Sequence, residues 1–154
     1  AVVAIMPNDP LSISLDELGY TDLSDSYEEM KIRAREKHFN FPYLYDGETE
    51  AVSRKYGPVA TPHVFIFDKD RKLRYSGRID DVEKPTRTPR HNDTRDAIES
   101  LLSGKTVAVQ TTKVFGCSIK WAEKSEWIER AKQEWAKEPK HAEMAISTRT
   151  ARKH

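Results

Sequence analysis

Residues 60–77, ATPHVFIFDKDRKLRYSG, constrain the chain more than any other stretch. Val64, Phe65, Ile66 and Phe67 are apolar at four successive positions, which predicts a strand covered on both faces. The polar DKDRK follows, and then Leu73 and Tyr75 alternate with Arg74. That period of two marks the second arm of a hairpin, nearer a sheet edge. Thr61–Pro62 stands at the mouth of the apolar run. Proline has no N–H to give to a ladder, so within sheets it is confined to edges, bulges or the first residue of a strand.

The remaining segments supply the frame for this hairpin. AVVAIM at 1–6 is a short valine-rich run that reads as a buried strand. Ser26 and Glu29 have capping-box spacing, and Tyr27, Met30 and Ala34 share one face, which predicts a helix over 27–39. FPYLYD at 41–46 is extended. Asp46 is placed to cap a short helix within 47–56, which Gly57–Pro58 ends. A charged, proline-bearing loop fills 80–93. Asn92 or Asp93 then caps a helix with Ala97, Ile98, Leu101 and Leu102 on one stripe, and Gly104 stops it. Residues 107–121 alternate weakly and are extended. Trp127, Ala131 and Trp135 recur at i, i+4 and i+8, so 125–137 is an amphipathic helix, ended by Pro139. Strand–helix–strand order implies a right-handed crossover with parallel pairing, to which the hairpin adds an antiparallel strand. The fold class is therefore α/β, a mixed sheet flanked by helices.

Three pieces of sequence, FPYLYD, VSRKYGPVATPHVFIFDKDRKLRYSGRIDD and FGCSIKW, together resemble the redoxin, alkyl-hydroperoxide-reductase-like (AhpC/TSA-type) branch of the thioredoxin-like superfamily. The resemblance covers roughly residues 1–121. It divides the chain into a thioredoxin-like domain at 1–121, an amphipathic helix at 122–139 and a mobile tail at 140–154. It implies a cis bond at Pro62 and a substrate groove formed by Thr61, Pro62 and His63, with the Thr61 backbone pairing a substrate chain in β fashion. By matching, residues 1–6 are the second strand of that fold. The sheet is then incomplete at the N-terminus, lacking a central strand and the cysteine motif that follows it, with a C-terminal helical extension added. The implied activity is thiol–disulfide exchange or peroxide reduction by cysteines outside these residues, without a cofactor. A redox-inactive thioredoxin-like module for binding or scaffolding is the alternative.

Composition limits the other functions. The 154 residues carry 26 Lys+Arg against 25 Asp+Glu, a net charge of +1, which argues against a dedicated nucleic-acid binder. No run approaches the about 18 apolar residues of a membrane span. The single cysteine, Cys117, excludes an internal disulfide and a Cys-x-x-Cys motif within these residues, and leaves the compartment open. Cys117 reads either as a redox thiol, for instance a distant resolving cysteine, or as a structural one. The five histidines are scattered with no metal-ligand spacing, so no zinc site is expected. SGKT at 103–106 lacks the upstream glycine of a phosphate-binding loop and follows a helix rather than a strand. The Trp127, Ala131, Trp135 stripe either packs on the domain or docks on a protein partner, since tryptophan is enriched in binding hot spots.

Overall fold

The computed structural model describes residues 1–13, 25–83 and 87–137. The expected tail at 140–154 lies outside the described residues. Four strands and four helices occur among those residues, in the order β1 (Ala4–Met6), α1 (Tyr27–Glu36), β2 (Tyr43–Tyr45), α2 (Ala51–Tyr56), β3 (Val64–Phe67), β4 (Leu73–Gly77), α3 (Asp93–Leu102) and α4 (Ser125–Lys137). The chain divides into two compact units, one of Ala1–Lys55 with Lys120–His154, the other of Tyr56–Ile119. β1–β2 and β3–β4 are separate two-stranded sheets, one in each unit.

In the first unit β1 and β2 are parallel, with Ala4 opposite Tyr43 and Met6 opposite Tyr45. Helix α1 lies between them in sequence and packs on β2. The Ser26 hydroxyl accepts the Glu29 N–H at 3.4 Å and donates to the Glu29 carboxylate at 2.8 Å, which starts the helix. The helix ends at Glu36, short of the expected Phe39. His38 turns to φ 52, and Phe39 N–H reaches back to the Ala34 carbonyl at 2.9 Å in a Schellman-type stop. Phe39 instead stacks on Phe41, with ring centroids 4.8 Å apart, and meets Tyr43 edge-on. Aromatic packing ahead of β2 thus outweighs one more helical turn. Asp46 caps α2 from a distance: its carboxylate accepts the Ser53 N–H at 2.7 Å and the Val52 N–H at 3.4 Å.

Residues 120–123 are tied down within the same unit. Lys120 N–H donates to the Asn8 side chain at 3.0 Å, and the Lys120 carbonyl accepts the Asp9 N–H at 2.8 Å. Glu50, only 2% exposed, accepts the Ala122 N–H at 2.5 Å and pairs with Arg54. Arg54 also bridges Glu123 and lies over the Trp121 ring. Beyond this strap, α4 buries Ile128, with Ala131 and Trp135 half-buried, while Trp127 is 64% exposed. The Trp127, Ala131, Trp135 row therefore straddles the edge of the packed face. An i, i+4, i+8 row drifts around a 3.6-residue helix, and the inward row runs Ile128, Ala131, Trp135 at i, i+3, i+7.

In the second unit β3 and β4 are antiparallel, with Val64 opposite Gly77 and Ile66 opposite Tyr75. A register shift between Ile66 and Phe67 leads into the turn. There the Asp68 carboxylate accepts the N–H groups of Asp70 and Lys72 and holds Arg74 at 2.6 Å. The core is Tyr75, Ala97 and Val107, with Val64, Ile66 and Leu101 packed on it. Ala97 and Leu101 are about 40° apart on α3 and face this core, whereas Leu102 lies farther round and is 83% exposed. The predicted four-residue stripe is thus half core and half surface. A second correction concerns β3. Val64 and Ile66 face the core, but Phe65 and Phe67 lie on the other face, where Tyr56 packs edge-on and Phe67 stays 43% exposed. The Tyr56 and His63 rings cover Phe65 but leave Phe67 largely open, so β3 is not buried on both sides.

α3 ends as expected. Gly104 (φ +70) donates to Leu101 at 3.1 Å and Lys105 to Ser100 at 2.8 Å, the paired bonds of a Schellman stop. The chain then runs extended beside the hairpin without forming a strand. It makes two isolated bridges, Ser76 with Thr111 and Thr61 with Cys117.

Candidate functional site at the Thr61–Pro62 loop

Helix α2 stops at Gly57, whose φ of +66 reverses the chain toward the loop. The Thr61–Pro62 peptide bond is cis. Thr61 is clamped by its own chain: its N–H donates to the Cys117 carbonyl at 2.8 Å, and its carbonyl accepts the Cys117 N–H at 3.1 Å. The Thr61 hydroxyl adds a third bond, to the Cys117 carbonyl at 3.2 Å. The backbone edge that the resemblance gives to a substrate strand is therefore already filled. Gly116 makes this approach feasible. Its φ is +144, and a Cβ there would lie 2.8 Å from the Thr61 carbonyl carbon and closer still to its oxygen. Cys117 is exposed and free.

His63 joins the loop to the hairpin. Its Nδ1 accepts the Val59 N–H at 3.3 Å, so Nε2 carries the proton in the neutral ring and faces the Ser76 hydroxyl at 3.0 Å. The ring stacks on Phe65 at 4.2 Å. Burial pushes the His63 pKa below its ordinary value, which favours the neutral imidazole these bonds require. In this tautomer Nε2 cannot take a proton from Ser76, so the pair is not a nucleophile and base. It positions the loop.

Beneath the loop lies a buried polar network. The Tyr75 hydroxyl, in a residue with 0% exposure, donates to the Arg78 carbonyl at 2.6 Å and bonds the Thr112 hydroxyl at 2.8 Å. The Thr94 hydroxyl donates to the same carbonyl at 2.9 Å. The Arg78 guanidinium holds Asp93 at 2.7 Å, and this hydrogen bond raises the Arg78 pKa further. Asp93, a candidate cap for α3, is thus spent on Arg78, and Asn92 makes no side-chain cap bond. Against this frame Pro62, Ile79, Val82 and Phe115 line a cavity of about 220 Å³, with Asp80 and Glu83 beside it.

The structure brings Thr61, Pro62, His63 and Cys117 into one unit around one loop. Trp127, Ala131 and Trp135 belong to the other unit, with Trp127 exposed and Ala131 and Trp135 half-buried. Among the described residues no three His, Cys, Asp or Glu side chains converge as metal ligands, and no helix is long and apolar enough to cross a membrane. The docking of residues 116–117 onto Thr61 was not legible beforehand. The adjacent Gly116–Cys117 pair was its only sequence signal, and a glycine before a cysteine does not name what it packs against.

Residues 12–76 match the AhpC/TSA family, a span that ends on β4 and contains the whole Thr61–Pro62 loop. The chain belongs to the redoxin, thioredoxin-like superfamily. It is similar to a hypothetical protein from Sinorhizobium meliloti, at 32% identity and a TM-score of 0.66, covering 79% of this chain and 62% of that one. It is also similar to an uncharacterized conserved protein from Geobacillus kaustophilus, at 38% identity and a TM-score of 0.62, covering 77% and 58%. This redoxin chain thus spans about three fifths of the length of both solved structures. No curated protein matches it.

Proposed function

We propose that this chain is the substrate-side part of a thiol–disulfide oxidoreductase or peroxiredoxin-like protein. The AhpC/TSA match across the Thr61–Pro62 loop carries this reading. In it, the attacking thiolate is supplied outside these residues. On a hydroperoxide the thiolate sulfur takes the distal oxygen, the O–O bond breaks, and the alkoxide leaves with a proton as an alcohol. On a disulfide it displaces one sulfur as a thiolate and forms a mixed disulfide. Pro62 and His63 shape the groove. Thr61, whose backbone is already paired, holds the wall. Cys117 is the resolving thiol: its sulfur attacks the sulfenic acid or mixed disulfide and releases water or a thiol. Its exposure favours this role over a purely structural one, and its backbone bonds hold it beside Thr61.

The test is turnover of hydroperoxide and of a small disulfide by the polypeptide carrying these residues, with a dithiol reductant. Pro62→Ala and Cys117→Ser should each lower turnover, and Cys117→Ser should accumulate a sulfenic acid that dimedone captures. Unchanged turnover in both variants rejects the assignment.

A further inference from the structure

The cavity beside Pro62 differs from a cofactor site in size and lining. Its volume of about 220 Å³ falls below the roughly 300–1,000 Å³ of drug-sized ligand sites, so it holds one side chain. Pro62, Ile79, Val82 and Phe115 make an apolar floor. Among the described residues the charge left unpaired around that floor is negative. Arg78 also lines the cavity, but Asp93 already holds its guanidinium. Asp80 uses one carboxylate oxygen to accept the Val82 N–H at 2.9 Å, leaving the other for a ligand. Glu83 has no charged partner among the described residues. Arg87 and Arg90 line a separate, smaller hollow with Asp81.

We propose that this cup receives one apolar side chain of an extended peptide, with a flanking lysine or arginine of that peptide held by Asp80 and Glu83. The inference rests on the reading of Pro62 as substrate-facing and narrows its substrate to a protein segment. Because the Thr61 backbone is occupied by Cys117, the peptide is read by a pocket and two carboxylates rather than by a backbone ladder. Exposed ion pairs contribute about 0.2–1 kcal/mol each, so two of them give roughly a two- to thirtyfold preference for the basic peptide, weakened by salt.

The experiment is a ¹⁵N-resolved titration of the chain with three acetylated hexapeptides, carrying Lys-Leu, Glu-Leu or Lys-Gly at the centre. The Lys-Leu peptide should move the amides of Ile79, Val82, Phe115 and Gly116 saturably, bind roughly two- to thirtyfold tighter than the Glu-Leu peptide, and also bind tighter than the Lys-Gly peptide, which buries no apolar side chain. The Asp80→Asn, Glu83→Gln double variant should erase the preference over Glu-Leu while keeping the Leu preference. Asn at 80 can still accept the Val82 N–H, so the loop is retained. Equal affinity for Lys-Leu and Glu-Leu at low salt, shifts centred elsewhere, or no saturable shift overturns the proposal. Turnover of a small hydroperoxide in a Pro62-dependent manner alongside such a result rejects only the peptide cup. Peptide binding without any thiol turnover rejects only the redox reading.

Discussion

Replacing Gly116 by alanine should detach the Cys117 segment from Thr61 and leave the rest of its unit folded. At φ +144 an L-residue is strained, which costs about 1–3 kcal/mol. The new Cβ would also meet the Thr61 carbonyl carbon at 2.8 Å and Pro62 Cδ at 3.4 Å. The first of these is backbone and cannot swing away. The alternative is to give up the three hydrogen bonds between Thr61 and Cys117, at about 0.5–1.5 kcal/mol each. Either route lowers the local opening free energy by about 2 kcal/mol, which is roughly thirtyfold in exchange rate. Amide hydrogen exchange reads this directly: Thr61 and Cys117 should exchange roughly thirtyfold faster, while Tyr75 in the core stays protected. Gly57→Ala is the control, since its φ is +66 but nothing lies within 4 Å of a Cβ there. Unchanged exchange at Thr61 and Cys117, or an equal rise at Tyr75, would refute the reasoning.

Other variants probe the same frame. Tyr75→Phe removes a buried hydroxyl that bonds Arg78 and Thr112, and urea unfolding should show a loss of about 1–2 kcal/mol. Ile128→Ala should cost about 2–4 kcal/mol in the same assay, whereas Trp127→Ala should stay within about 0.5 kcal/mol; the reverse order would mean that α4 is rotated. The folded-state pKa of His63 is lowered by burial, so the unfolded chain takes up this proton first as pH falls. Its contribution to stability is complete above about pH 6.5 and declines as pH drops through that value toward the lower folded pKa. Stability measured at pH 7.5 and pH 5 should therefore differ less in His63→Phe than in the parent, and an unchanged difference would remove His63 from the pH response.

Local chemistry carried much of the fold in the sequence. Ser26 with Glu29, Asp46 before α2, and Gly104 after α3 each act through bonds a few residues away, and each sits where its residue type directs it. The α4 span also follows from its periodicity. Features that depend on distant segments were illegible. The termination of α1 at Glu36 is decided by Phe39 stacking on Phe41, and the burial of β3 by how little covers Phe65 and Phe67. At the site, the proline at a strand mouth drew attention to Thr61–Pro62, and the groove of Thr61, Pro62 and His63 came from the resemblance to the redoxin branch. The occupation of the Thr61 edge and the Tyr75–Thr112 network join positions 56 and 37 residues apart, the cup under Pro62 likewise joins distant segments, and no spacing rule links such positions.

The most direct test follows Cys117 by mass spectrometry while the polypeptide carrying these residues turns over a hydroperoxide with a dithiol. The expected result is a disulfide at Cys117 that forms with each equivalent of peroxide, vanishes on reduction, and diminishes in Pro62→Ala. Sustained turnover with Cys117 remaining a thiol throughout, at a rate indifferent to Pro62, would contradict the account.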